Sequence, residues 1–259
     1  FSFVASTNVI LFEKAIPVFV DVDVRTGNMD TAQAASAVRD LMEGGNAAKR
    51  WLPQRGVESA GKLKAILAID VFGQPADYDQ LQPLAELNDL KLIEDSCESL
   101  GAEYRSKKVG TQGDYGVFAF YPNKQITTGE GGMIVTDDRE AAQFMRALRN
   151  QGRAPGDTWL QHTHLGYNYR LDEMSAALGL TQLRRIEELL NKRQQVADWY
   201  KDRLVEIAGV EAPLVVDSTT RASWFVYVIR LDPGLDRDAI AARLDERGIP
   251  VRPYFLPIH

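Results

Sequence analysis

Two side chains set the chemistry that this sequence could perform. Lys124 stands in the run Phe118-Ala-Phe-Tyr121-Pro-Asn-Lys124-Gln-Ile-Thr-Thr-Gly-Glu-Gly-Gly132, where one apolar stretch enters a proline-led turn and leaves through glycines into another. Asp95 closes Leu92-Ile93-Glu94-Asp95, an apolar strand that ends in an acid. Taken singly, Lys124 could be a solvated turn lysine and Asp95 the cap of a following helix. Taken together they permit something more specific. A lysine held in a partly dry pocket gives up its proton readily and can condense with an aldehyde to a Schiff base. A carboxylate on the nitrogen of a pyridine ring keeps that ring protonated, and the protonated ring withdraws electrons from an adjoining carbanion. Pyridoxal phosphate needs one residue of each kind. Glycines 129, 131 and 132 would let the backbone pass close to a bound group.

The elements that must position these residues follow from periodicity. Pro17 to Val22 is a short run of β-formers, and Asp30 with Gln33 three residues on reads as a helix start. Ala34, Ala37, Val38 and Leu41 keep helical spacing until Gly44-Gly45. Residues 44 to 62 read as loop. Ala65 to Val71 reads as a fully buried strand. Asp77 or Asp79 should cap a helix with Leu81, Leu84 and Leu87 inward, and Pro83 favours the later start. Strands follow at Leu90–Asp95, Val117–Tyr121 and Met133–Thr136. This alternation predicts an α/β fold with a mostly parallel central sheet flanked by helices. Its ligands would sit at the carboxyl ends of the strands, where Asp95 lies and the Lys124 turn begins.

From Asp172 the pattern changes. Apolar positions from Leu171 to Leu204 predict one long helix or two in series, followed by a β run at Trp224–Leu231 and a short helix near 239–247. The expected division is a large domain over 1–170, and over 171–259 a connecting helix with a smaller α+β domain.

Composition removes other classes. Lys and Arg number 30 against 36 Asp and Glu, a net charge of −6, which disfavours binding to phosphate backbones. No window approaches the ~18 consecutive apolar residues of a membrane helix. A single cysteine, Cys97, excludes an internal disulfide and fits a reducing, cytoplasmic setting, as does the lack of a leader-like start. Gly56 to Lys62 imitates a phosphate-binding loop but is followed by Leu63 and precedes a strand, the reverse of the required context. Gly110, Gly113 and Gly116 do not have dinucleotide-loop spacing, and His162 and His164 lack further ligands nearby. Cys97 has no adjacent histidine and reads as a small packed residue.

With these motifs in order, the sequence resembles the DegT/DnrJ/StrS family of pyridoxal-phosphate aminotransferases acting on sugar nucleotides, whose fold is the type I PLP-dependent transferase fold. The resemblance runs from Phe1-Ser-Phe-Val-Ala-Ser-Thr-Asn8 through Pro17–Asp21, Glu94-Asp95, the Lys124 motif and Gly166-Tyr-Asn-Tyr-Arg170 to Tyr254–His259. It implies that Lys124 forms the Schiff base and moves the proton, and that Asp95 partners the pyridine nitrogen. It further implies that Glu98 lies beside the ring, that Phe3 stacks on it, and that Asn168 reaches the cofactor phosphate from a neighbouring subunit. The last role implies a homodimer with shared active sites. Glutamate would be the amino donor and a keto-sugar nucleotide the acceptor, in amino-sugar or polysaccharide biosynthesis.

Three departures are expected to matter. The Gly-Thr or Gly-Ser phosphate-binding segment upstream of the position of Phe1 is absent, so the chain reads as a fragment. Ala119 stands five residues before the lysine, where the family commonly has a phosphate-holding serine. Glu98 is acid where Gln is common, and an ionised carboxylate can only accept hydrogen bonds. Related pyridoxamine-dependent sugar dehydratases carry His where Lys124 stands, so Lys124 favours transamination. A non-catalytic regulator on this fold would have no need of the pair.

Overall fold

The computed structural model describes residues 1–55, 57, 61–253 and 258. Most of the Gly56–Lys62 stretch and Tyr254–Pro257 with His259 therefore lie outside the described residues. The centre is a four-stranded sheet in the order β1 (Ala65–Ile69), β2 (Lys91–Asp95), β5 (Tyr115–Ala119), β6 (Gly132–Val135). The first three strands are parallel and β6 is antiparallel to β5. Ile69, Asp95 and Val117 are in register, so Asp95 ends the middle strand at the carboxyl edge.

Strand alternation decides which face each residue serves. Ile66, Ala68 and Leu92 point to one face and are buried. There they meet Ala34 and Val38 of α2 (Thr31–Glu43) and Leu81 and Ala85 of α4 (Tyr78–Leu87), with Tyr78 and Tyr104 completing the core. Ile69, Ile93 and Asp95 point to the opposite face and are only half-buried, so β1 is covered fully on one face rather than two. Asp95 is thereby turned away from the α2–α4 core.

Several expectations are corrected. Pro17–Val22 forms no strand; only a bridge between Val22 and Met29 occurs, because no neighbouring strand offers the run a hydrogen-bonding ladder. Asp30 does cap α2, accepting from the N–H groups of Ala32 and Gln33. The loop after it contains a short helix, α3 (Gly45–Lys49). α4 begins at Tyr78, with Pro83 inside it. Asp77 does not cap it by its side chain, and its Oδ1 instead accepts from Tyr104 Oη at 2.9 Å. Leu81 is fully buried, but Leu87 is 84% exposed because the helix ends there and turns it outward. A helix over Arg139–Arg149, α5, capped by Asp138, was not anticipated from the spacing.

Beyond the sheet, the long helical stretch resolves into α6 (Glu173–Leu183) and α7 (Ile186–Leu204), broken at Arg184–Arg185. Of the expected β run only Arg230–Leu231 is a strand, β9, paired with β7 (Val210–Glu211). Within 224–229, Phe225 N instead donates to Phe72 O at 3.1 Å, and the carbonyls of Trp224 and Phe225 accept from Arg193 of α7. The short helix is α8 (Arg237–Asp245). β8 (Thr219–Arg221) pairs with β3 (Glu103–Tyr104), which also pairs with β4 (Lys107–Lys108), so the later third of the chain is tied to the earlier part.

Candidate active site

The turn that carries Lys124 is held at its base and on its flank. Phe120 donates its N–H to Gly131 O at 2.9 Å and accepts at its carbonyl from Thr128 N and Thr127 Oγ1. Gly131 has φ +139°, which a side chain would strain. Gln182 of α6 grips the backbone of Thr127 from both sides, accepting from its N–H and donating to its carbonyl. Ile126 and Gln125 are buried beneath the turn. Gln125 Nε2 donates to Ser223 Oγ at 2.9 Å and to the carbonyl of Glu98. Lys124 is thus the half-buried member of a clamped loop. Its Nζ stands 4.4 Å from the centroid of the Phe225 ring.

Phe225 is placed there by a tight backbone contact. Ser223 and Phe225 donate to the carbonyls of Gly73 and Phe72 at 2.8 and 3.1 Å. A Cβ on Gly73, at φ +98°, would stand 2.5 Å from Trp224 N, so only glycine admits this approach. Glu98 holds the same turn from the other side, its Oε2 accepting from Phe72 N at 3.0 Å.

Asp95 lies at the end of β2, half-buried. Its Oδ2 accepts from Ser6 Oγ at 2.6 Å, and its Oδ1 accepts from Cys97 N at 3.2 Å. Ser6 belongs to α1 (Ala5–Phe12), and its N–H bonds the carbonyl of Phe3, so Phe3 sits one turn from the Asp95 contact. Cys97 reports on both charged groups. Burial pushes its thiol pKa well up, the Asp95 carboxylate pushes it further, and the Lys124 ammonium pulls it back. Asp95 is in register with Val117 of β5, the strand that leads into the Lys124 turn, and Gln125 ties that turn to the carbonyl of Glu98, so the two residues lie at the same carboxyl edge of the sheet. Beneath it Asp70 is fully buried, accepting from Ser96 Oγ and Tyr78 Oη at 2.6 Å each. Burial raises its pKa to about 7 against the pull of those donors.

A family model for the DegT/DnrJ/EryC1/StrS aminotransferases matches residues 1–259. The chain belongs to this family. It is 37% identical over 260 residues to GDP-perosamine synthase of Caulobacter vibrioides, covering all of this chain and 64% of that protein. It is 36% identical to the putative pyridoxal phosphate-dependent aminotransferase EpsN of Bacillus subtilis, covering all of this chain and 62% of the relative. The crystal structure of a DegT DnrJ EryC1 StrS aminotransferase from Brucella abortus superposes with TM-score 0.84 at 31% identity, over 96% of this chain and 61% of that one. The chain thus spans under two thirds of the length of these family members.

Of the residues that the DegT/DnrJ/StrS resemblance singles out, Lys124, Asp95, Glu98 and Phe3 are drawn toward one region by the contacts above. Asn168 is exposed on the return segment after α5, where it bridges Asn150 and its Oδ1 accepts from Arg170 Nε at 3.1 Å. It makes no described contact with the other four. Ala119 ends β5 and offers no hydroxyl. Sequence reasoning missed Ser6, Phe225, Gln125 and Ser223. Ser6 lay inside the family's opening motif, but nothing in the spacing joins it to an acid 89 residues away.

Proposed function

We propose that the protein is a pyridoxal-phosphate aminotransferase that moves an amino group from glutamate to a keto-sugar nucleotide. Family membership supports the class of reaction, and the name GDP-perosamine synthase, carried by a relative, supports an acceptor linked to a nucleotide. What supports the reading is that Asp95 closes β2, the Lys124 turn leaves the adjacent strand β5, and Gln125 beside Lys124 ties that turn to the carbonyl of Glu98.

The donor set suits the cofactor at its ring end. Lys124 Nζ, with no carboxylate bound to it among the described residues, would hold the aldehyde carbon. Asp95 would hold the ring nitrogen, with Ser6 and the Cys97 N–H fixing the orientation of its carboxylate. Phe3 would cover a ring face, Glu98 would lie beside the ring, and Asn168 would reach the phosphate of a second copy in a homodimer. When bound, pyridoxal phosphate supplies the electron sink that stabilises negative charge at the carbon bearing the amine.

The chain's own residues do the rest. Lys124 takes the proton from that carbon in the amino donor and returns one to the carbon of the acceptor, working as general base and then general acid. The Phe225 ring, its centroid 4.4 Å from Lys124 Nζ, gives the amine an apolar floor. The clamp of Gln182, Gln125 and Ser223 keeps the amine in place while its charge changes. Incubation with glutamate and a panel of keto-sugar nucleotides, followed by mass spectrometry, tests the reading. An aminated sugar nucleotide with 2-oxoglutarate is the expected result; no amination of any panel member counts against it.

A further inference from the structure

Residues 224–229 are β-formers, yet Trp224 has φ +50°, in the left-handed region that bulky side chains rarely enter. Along an extended strand successive carbonyls point to opposite sides. Here the carbonyls of Trp224 and Phe225 turn toward one cation, and Arg193 Nη1 of α7 donates to them at 2.8 and 3.3 Å. The next residue of α7 takes the indole: Trp224 Nε1 donates to Gln194 Oε1 at 2.7 Å. Tyr227 stacks on Trp224 and on Tyr200 of α7, with ring centroids 5.6 and 5.0 Å apart. The kink is therefore held by α7 as well as by the turn at Phe72–Gly73. Phe225 leaves it buried, with the Lys124 amine over its ring.

Stability alone is a poor reason for this tie. Arg193 is half-buried, no carboxylate is paired with it among the described residues, and burial pulls its pKa down. The acids of α7 nearest to it are engaged elsewhere: Glu187 with Arg221, Glu188 with Arg185 and Lys192, and Asp198 with Gln194. A cation drawn out of water without a counter-charge gives back much of what two bonds to carbonyls supply. A bulky residue held left-handed adds a further cost, and such costs gather where geometry serves a reaction. What the tie delivers is one placement. Were Trp224 to relax to an extended conformation, the chain direction at Phe225 would change and its ring would leave Lys124.

We propose that Arg193 is a positioning residue for the reaction: by holding the Trp224 kink it keeps the Phe225 ring under the Lys124 amine. The inference rests on the function proposed above. Arg193→Gln, Arg193→Lys, Phe225→Leu and the double variant Arg193→Gln/Phe225→Leu test it by two readouts. One is kcat and KM for glutamate. The other is the rate at which pyridoxal phosphate with cyanoborohydride captures Lys124 before any substrate is added. Arg193→Gln should lower kcat and the capture rate by about fivefold or more, with KM for glutamate within about twofold of the wild type. Phe225→Leu should do the same, and the double variant should lose no more than the larger single loss, because both changes remove one placement. Arg193→Lys keeps the charge but lacks the planar fork, and should recover part of the loss. Gln194→Met frees only the indole; it should give a smaller loss in the same direction, and it carries the test if Arg193→Gln does not fold.

Losses that multiply in the double variant overturn the proposal, since Arg193 would then act by a route other than Phe225. A folded Arg193→Gln that is less stable in urea, yet captures the cofactor and turns over as the wild type does, also overturns it and leaves a purely structural tie. A raised KM for glutamate with kcat unchanged would put Arg193 in substrate binding and overturn it as well. If capture falls alike in Arg193→Gln and Phe225→Leu but the wild type aminates no sugar nucleotide, the positioning role stands and the proposed function falls.

Discussion

Ser6 Oγ donates to Asp95 Oδ2 at 2.6 Å, joining the first helix to the end of the middle strand. This bond fixes which way the carboxylate faces. A hydrogen bond to a charged group is worth about 1.5–3 kcal/mol. Ser6→Ala should therefore weaken pyridoxal phosphate binding by roughly tenfold or more, since ~1.4 kcal/mol is a factor of ten. Asp95→Asn should weaken it further. Fluorescence titration of the cofactor checks both, and equal affinity of Ser6→Ala and wild type would count against the role.

Cys97 offers a probe of the same carboxylate. Burial first, and then the Asp95 charge, hold its thiol pKa above the ordinary range, so it should react slowly with iodoacetamide near pH 8. Asp95→Asn removes one of the two main causes and should speed alkylation several-fold. A rate that does not change would mean that the carboxylate is not felt at Cys97.

Asp70 carries a linkage prediction. Its folded-state pKa is raised to about 7, so the folded chain holds its proton more tightly than the unfolded chain does. The contribution is fully present below about pH 4 and is lost as pH rises through about 7, which amounts to a few kcal/mol. Asp70→Asn should flatten that part of the stability profile in urea titrations between pH 4 and 8. Against this, a profile as steep as that of the wild type would show that Asp70 titrates normally.

The two leucines of α4 test the packing. Leu81→Ala empties a fully buried position and should cost about 2–5 kcal/mol. Leu87→Ala, on a side chain 84% exposed, should stay within about 0.5 kcal/mol. Chemical denaturation of both variants checks this, and similar losses would contradict the orientation of the helix.

Local pattern made much of the fold readable. β1, β2, β5 and β6 appear where short apolar runs predicted them, and Asp30 caps its helix as its type and spacing require. Lys124 and Asp95 stood out only as a pair, since each alone has an ordinary use as a turn lysine or a helix cap; the strand end at Asp95 is where local pattern put it. What failed depended on partners. Pro17–Val22 has the residues of a strand but no ladder beside it. Residues 224–229 have β-formers, yet the turn at Phe72–Gly73 claims the N–H groups of Ser223, just ahead of them, and of Phe225, among them. Ser6 and Phe225 reach the site only through contacts across 89 and about 100 residues, and no local periodicity records those.

The most direct measurement is to incubate the protein with pyridoxal phosphate, reduce it with borohydride and map the modified peptide by mass spectrometry. A single pyridoxyl adduct on Lys124, lost in Lys124→Ala together with at least 10²-fold of the transamination rate, is the expected result. An adduct on another lysine, or turnover that survives in Lys124→Ala, would contradict it.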